Sequence, residues 1–199
     1  MSDLDHYEII RKSIKSSRKV KKELLQKEIF YTRVSGIVDL CVNALRNGNK
    51  ILWCGNGGSA ADAQHLAAEL SGRFYKDRPG LYSEALHTNT SYITAVANDY
   101  SYDKIYSRLI NAIGQPGDIL FCLSTSGKSM NIVDAVSTAK LKDMKVIGLT
   151  GHFGGLIANK VDILIDVPSK DTPRIQECHI MIGHIICELI EKEMFPDGV

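Results

Sequence analysis

The stretch Ile51-Leu52-Trp53-Cys54-Gly55-Asn56-Gly57-Gly58-Ser59-Ala60-Ala61-Asp62 decides the fold. An unbroken apolar run ends in a glycine-rich turn, and the turn feeds a segment with helical periodicity. A half-exposed strand would alternate apolar and polar residues. Continuous hydrophobicity means a strand covered on both faces, as in a parallel α/β sheet. The pattern recurs at residues 82–86, 118–123, 146–149 and 162–167, each run rich in Ile, Val or Leu and followed by small polar residues. Helical segments are expected between them at 60–75, 90–97 with 104–112, and 131–142, with a short one near 156–160 and a last amphipathic helix over 173–194. The chain therefore reads as an α/β fold with five parallel strands flanked by helices.

Upstream of this pattern, Leu4, Tyr7, Ile10 and Ile14 recur at helical spacing, as do Leu24, Leu25 and Ile29, and then Ile37, Cys41, Ala44 and Leu45. The first 47 residues are read as a helical extension. Arg18, Lys19, Lys21 and Lys22 lie close to Glu8, Glu23 and Glu28, which suits a solvated helix face better than a nucleic-acid contact.

A chain of 199 residues fits one domain, 1–199, with no linker or repeat to divide it. A hydrophobic share of 44% supports a sizeable core and excludes a disordered chain. Lys+Arg 24 against Asp+Glu 23 leaves a net charge of +1, so no global field draws the protein to nucleic acid or to a membrane. No apolar run approaches the roughly 20 residues that span a bilayer. The start Met1-Ser2-Asp3-Leu4-Asp5-His6 is unlike a secretory signal. The five cysteines, Cys41, Cys54, Cys122, Cys178 and Cys187, form no C-x-x-C pair and read as reduced, buried thiols of a cytoplasmic protein.

In open parallel sheets ligands bind beyond the carboxyl ends of the strands. The turn Gly55-Asn56-Gly57-Gly58-Ser59 suits an anion at a helix N-terminus, although a plain strand-to-helix turn explains it as well. Ser124-Thr125-Ser126-Gly127-Lys128-Ser129 offers four hydroxyls and a run of helix-terminal amides, more than an N-cap needs, and suits a phosphate monoester. His65 and Glu69 stand four residues apart on one helical face, with Arg73 expected to continue it; the spacing serves a metal, paired acid/base work or a surface ladder. His184 falls amid Ile180, Ile182, Ile185 and Ile186, where a core histidine is the alternative to a ligand. Asn98-Asp99 ends a helical stretch, as sugar-hydroxyl acceptors or as an Asx turn.

The phrases Cys54-Gly55-Asn56-Gly57-Gly58-Ser59-Ala60-Ala61-Asp62-Ala63-Gln64-His65, Ala97-Asn98-Asp99, Ser124 to Ser129 and Arg174-Ile175-Gln176-Glu177 together resemble the sedoheptulose 7-phosphate isomerases (phosphoheptose isomerases) of the sugar-isomerase, or SIS, domain superfamily. The resemblance implies a single SIS domain with a flavodoxin-like strand order, the N-terminal helices serving oligomer packing. It implies a cytoplasmic homotetramer that converts sedoheptulose 7-phosphate to D-glycero-D-manno-heptose 7-phosphate. That is the entry to ADP- or GDP-heptose synthesis for lipopolysaccharide or capsule. It further implies one Zn²⁺ per subunit on His65, Glu69, Gln176 and His184, with Glu69 and His184 as the acid/base pair. Substrate contacts fall on Asn56, Gly57, Gly58, Glu69, Asn98, Asp99, Ser124, Thr125, Ser126, Ser129 and Gln176. Departures from the family pattern are Asn89 for an acidic residue, Ala97 for a glycine and Met130 for a proline. The alternative is a non-catalytic SIS tetramer that binds a replication initiator; that sister family lacks the Glu and His present here as Glu69 and His184.

One further expectation adds helix geometry to the ligand set that the resemblance implies. Gln176 and His184 are eight residues apart, about 12 Å along a helix axis and roughly 80° apart in azimuth. A single zinc with bonds of about 2 Å cannot easily be reached by both from one helix. The site is therefore predicted to be completed across a subunit interface.

Overall fold

The computed structural model describes residues 3–196; residues 1–2 and 197–199, part of the expected 1–199 unit, lie outside the described residues. Two helices open the chain, α1 (Asp3–Leu25) and α2 (Glu28–Arg46). The sheet comprises β1 (Ile51–Gly55), β2 (Ser83–Ala85), β3 (Ile119–Ser124), β4 (Lys145–Thr150) and β5 (Ile163–Asp166). Its order is β2-β1-β3-β4-β5, and every pair is parallel, as expected. The connecting helices are α3 (Gly58–Ser71), α4 (Thr90–Asp99), α5 (Ile105–Ile113) and α6 (Met130–Leu141), and α7 (Thr172–Met194) closes the fold.

The continuous hydrophobicity has a direct cause: each central strand feeds two cores. Trp53, Phe121 and Ile147 point to the side covered by α2, α3 and α7. Leu52, Leu120 and Val146 point to the side covered by α5 and α6. Trp53 stacks on Phe121 with centroids 4.0 Å apart, a pairing worth about 0.5–1.5 kcal/mol beyond its burial. The Trp53 indole N–H finds Ser83 Oγ at 2.8 Å, so the buried ring leaves no polar atom unpaired. At the amino end of the sheet, Asp118 is fully buried against Lys50 Nζ at 2.6 Å and accepts the backbone N–H groups of Lys50 and Gln115. That end is closed by satisfied charges.

Two boundaries differ from the sequence reading by more than two residues. The helix expected over 60–75 stops at Ser71, so Arg73 lies past its end and does not continue the face of His65 and Glu69. The cause is the backbone at Gly72, which leaves helical geometry while its N–H closes on Ala68 O. The short helix expected near 156–160 is a 3-10 turn over Gly155–Ile157. All five cysteines are free and buried, and burial pushes the Cys187 thiol up to about 12, which keeps it protonated. Among the described residues no helix is long and apolar enough to cross a membrane.

Candidate active site

Ser124, Thr125, Ser126 and Ser129 line one hollow of about 200 Å³ together with Asn56, Ser59, Thr172 and Gln176. It lies beyond the ends of β1 and β3, where the connections leave neighbouring strands in opposite directions, the usual ligand position in a doubly wound sheet. The loop is shaped locally. Gly127 sits at φ +61° and its N–H donates to Ser124 O and Oγ, both at 3.1 Å. Behind the loop, Leu156 N–H donates to Gly127 O at 2.8 Å and Gly151 N–H to Thr125 O at 3.0 Å. The hydroxyl face thus opens onto the hollow with its backbone already tied down, while Lys128 is exposed.

Across the hollow, the Asn56 amide pairs reciprocally with the amide of buried Asn131, at 2.9 and 2.8 Å, and accepts the Tyr102 hydroxyl at 3.1 Å. Gly57 and Gly58 begin α3 beside it, and the Gln176 side chain lies against Gly58. Thr172 and Asn131 were not singled out from sequence, and Ser59 only as the end of the Gly55 to Ser59 turn. Ser59 and Thr172 are hydroxyls at helix starts that follow strands, the same signal that marked Ser124 to Ser129.

The second group is His65, Glu69 and His184, whose ligand atoms all lie within 4.8 Å of one another. His65 Nε2 is 3.1 Å from Glu69 Oε1 and 2.9 Å from His184 Nε2. Ligand atoms around a tetrahedral zinc with bonds near 2 Å stand about 3.3 Å apart. Two imidazoles and a carboxylate gathered this closely form a group able to hold a divalent metal ion. His65 and Glu69 come together because they are one turn apart on α3. His184 joins them because α7 packs closely there: a Cβ on Gly183 would collide with the Leu66 side chain of α3. The Phe74 ring lies over His184 with centroids 5.7 Å apart. One turn before His65, Asp62 keeps a buried Oδ2 without a partner, and burial pushes its carboxyl up to about 6 against the pull of His65.

The histidine that fills the core is His179. It is fully buried, with Nε2 3.1 Å from Thr150 O and Nδ1 unpartnered. His184, half-buried, faces His65 instead.

The hollow and the His–Glu group do not meet within one chain. α3 and α7 both start at the hollow and run back along the sheet. His65, Glu69 and His184 lie seven, eleven and twelve residues into their helices, roughly 10 to 18 Å away at 1.5 Å per residue. Gln176 stays at the hollow, as its separation from His184 requires. Asn98 and Asp99 are exposed at the end of α4, with Asn98 Nδ2 bonded to Asp99 Oδ1 at 2.9 Å. Asn89 caps α4, its side chain accepting Tyr92 N–H at 3.0 Å, a role that an acidic residue fills equally well. Met130 occupies the first turn of α6, where a proline is also tolerated.

The SIS domain family matches residues 12–151. A phosphoheptose isomerase from Sulfurimonas denitrificans is 49% identical over 96% of this chain and 97% of its own length. One from Aneurinibacillus thermoaerophilus is 50% identical over 94% of each. The structure of the phosphoheptose isomerase from Neisseria gonorrhoeae superposes with a TM-score of 0.88 at 42% identity, over 94% of this chain and 98% of that one. The phosphoheptose isomerase structure from Francisella tularensis superposes with a TM-score of 0.90 at 37% identity, over 96% of this chain and 100% of that one.

Proposed function

Because the chain belongs to the phosphoheptose isomerases of the SIS domain family, we propose that it isomerises sedoheptulose 7-phosphate to D-glycero-D-manno-heptose 7-phosphate, the first step of heptose synthesis for lipopolysaccharide or capsule. The convergence of His65, Glu69 and His184 carries this reading, since a carboxylate and an imidazole side by side are the kind of acid/base pair that the reaction needs. The same convergence speaks against the non-catalytic alternative.

The reaction moves a proton from C1 to C2 through an enediolate. Ser124, Thr125, Ser126 and Ser129 donate hydroxyls to the phosphate, and the N-terminus of α6 adds its amides. Asn56, Gly57, Gly58, Asn98 and Asp99 are assigned to the sugar chain. Glu69 carries the carbon proton and His184 exchanges protons with O1 and O2. His65, Glu69 and His184 would hold a divalent ion, taken as one zinc per subunit, which would supply polarisation of the carbonyl oxygen when bound. Gln176, the expected fourth ligand, would come from a neighbouring chain together with that chain's hydroxyl cup, because the chain's own Gln176 lies too far along α7.

This reading treats 1–199 as one SIS unit that assembles as a homotetramer in the cytoplasm. Exposed Tyr7, Ile9, Ile10 and Ile14 on α1 support self-association, and five buried thiols support a reducing compartment. Incubation with sedoheptulose 7-phosphate, followed by NMR, is expected to yield the aldose, with conversion suppressed by a chelator. No conversion under any metal condition overturns the proposal.

A further inference from the structure

Arg78 and Glu191 form an ion pair with side chains 0% and 2% exposed, and nothing in the sequence marks either residue as part of a site. Their contacts lead to the His–Glu group from both sides. Arg78 donates to three carbonyls at the end of α3: Glu69 O at 2.8 Å, Leu70 O at 2.6 Å and Gly72 O at 2.9 Å. These are groups that a helix end leaves without intrahelical partners, and a guanidinium there also complements the helix dipole. The residue whose carbonyl it holds at 2.8 Å is Glu69 itself.

Glu191 lies seven residues after His184 on α7, two turns on and so on the same face. Its Oε1 accepts Phe74 N–H at 3.1 Å and Arg78 Nε at 3.0 Å. Its Oε2 accepts Tyr75 N–H at 2.9 Å and Lys76 N–H at 3.0 Å. Burial pushes this carboxyl up, and the three backbone N–H groups with the Arg78 guanidinium more than reverse that, so it is held ionised, below its ordinary range. The backbone it grips belongs to Phe74, whose ring covers His184.

We propose that Arg78 and Glu191 are positioning residues for the His65–Glu69–His184 group. Arg78 fixes the end of α3 that carries Glu69, and Glu191 fixes α7 and the Phe74 lid that orient His184. One buried pair thereby sets the spacing of ligands drawn from two helices, a task that neither helix performs alone. This rests on the metal and acid/base reading given above.

Arg78→Lys keeps the charge but loses the fork that serves several acceptors at once. Chelator competition should show zinc bound roughly 10–100-fold more weakly, the usual cost of disturbing the groups that orient metal ligands. Affinity for inorganic phosphate, held by the cup, should be unchanged, and in metal-free protein the His184 ring-proton resonances should shift as Phe74 moves. A folded variant with unchanged zinc affinity and unchanged His184 resonances overturns the proposal. If Arg78→Lys does not fold, the double variant Arg78→Met with Glu191→Leu replaces the buried pair by apolar side chains, an exchange that folds often tolerate. The same loss of zinc affinity is expected, and wild-type affinity there overturns the proposal. If the wild-type protein binds no zinc, the metal reading falls, and the His184 resonances alone decide for or against the clamp.

Discussion

The hydroxyl cup and the His–Glu group are built in opposite ways. The cup is local: four hydroxyls within six residues, on a loop whose shape is set by Gly127 and by two hydrogen bonds from the next connection. The His–Glu group is assembled by packing: His65 and His184 are 119 residues apart and meet only because α7 lies closely on α3. A local site can change without disturbing the rest of the fold. An assembled site depends on every contact that sets the distance between its helices. Binding and chemistry should therefore be separable by mutation.

The strongest break comes from Glu69→Gln. Removing the carboxylate that carries the carbon proton should lower kcat by about 10²–10⁴-fold. Phosphosugar affinity, measured by calorimetry, should stay close to wild type because the cup is untouched. Wild-type turnover would remove Glu69 from the mechanism.

α7 joins the two regions, with Gln176 at the cup, His184 at the His–Glu group and His179 buried between them. Burial lowers the His179 pKa from 6.5 to about 4, although its bond to Thr150 O pulls the other way. Between those values the unfolded chain takes up a proton that the folded chain refuses. The stability contribution is thus fully present above about pH 6.5 and declines by roughly 3 kcal/mol as pH falls toward 4. His179→Gln, which keeps a donor for Thr150 O, should flatten that part of the denaturation profile; an unchanged slope would show that other groups set it.

Gly127→Ala acts on the cup alone. The glycine has φ +61°, and a Cβ there would press into the Gly154 carbonyl, a strain of about 1–3 kcal/mol. KM should rise roughly 10–100-fold on that scale, with kcat at saturation nearly unchanged. An equal loss in kcat would mean that the cup also shapes the reacting end.

The contrast between local and assembled also accounts for what could be read from the sequence. The five strands and the cup were legible because apolar runs and consecutive hydroxyls are short-range signals. The His65–Glu69 pair was legible as a spacing, whereas its partner His184 came only from the family resemblance, since it sits in an apolar run that looks the same whether it faces a core or a site. The actual core histidine, His179, is five residues earlier in that same run. Arg73 was misplaced because Gly72 ends α3 before it. Arg78 and Glu191 were invisible because charged residues in a sequence read as surface, and only the fold buries them together.

Isomerisation in D₂O, followed by NMR of the product, tests proton transfer at the assembled site most directly. A carboxylate that carries the proton through an enediolate exchanges it with solvent, so deuterium is expected at C2 of the aldose. Deuterium still absent from C2 after many forward and reverse turnovers at equilibrium, when even a small leak from the carboxylate per turnover would accumulate, would mean a direct hydrogen shift and contradict the role given to Glu69.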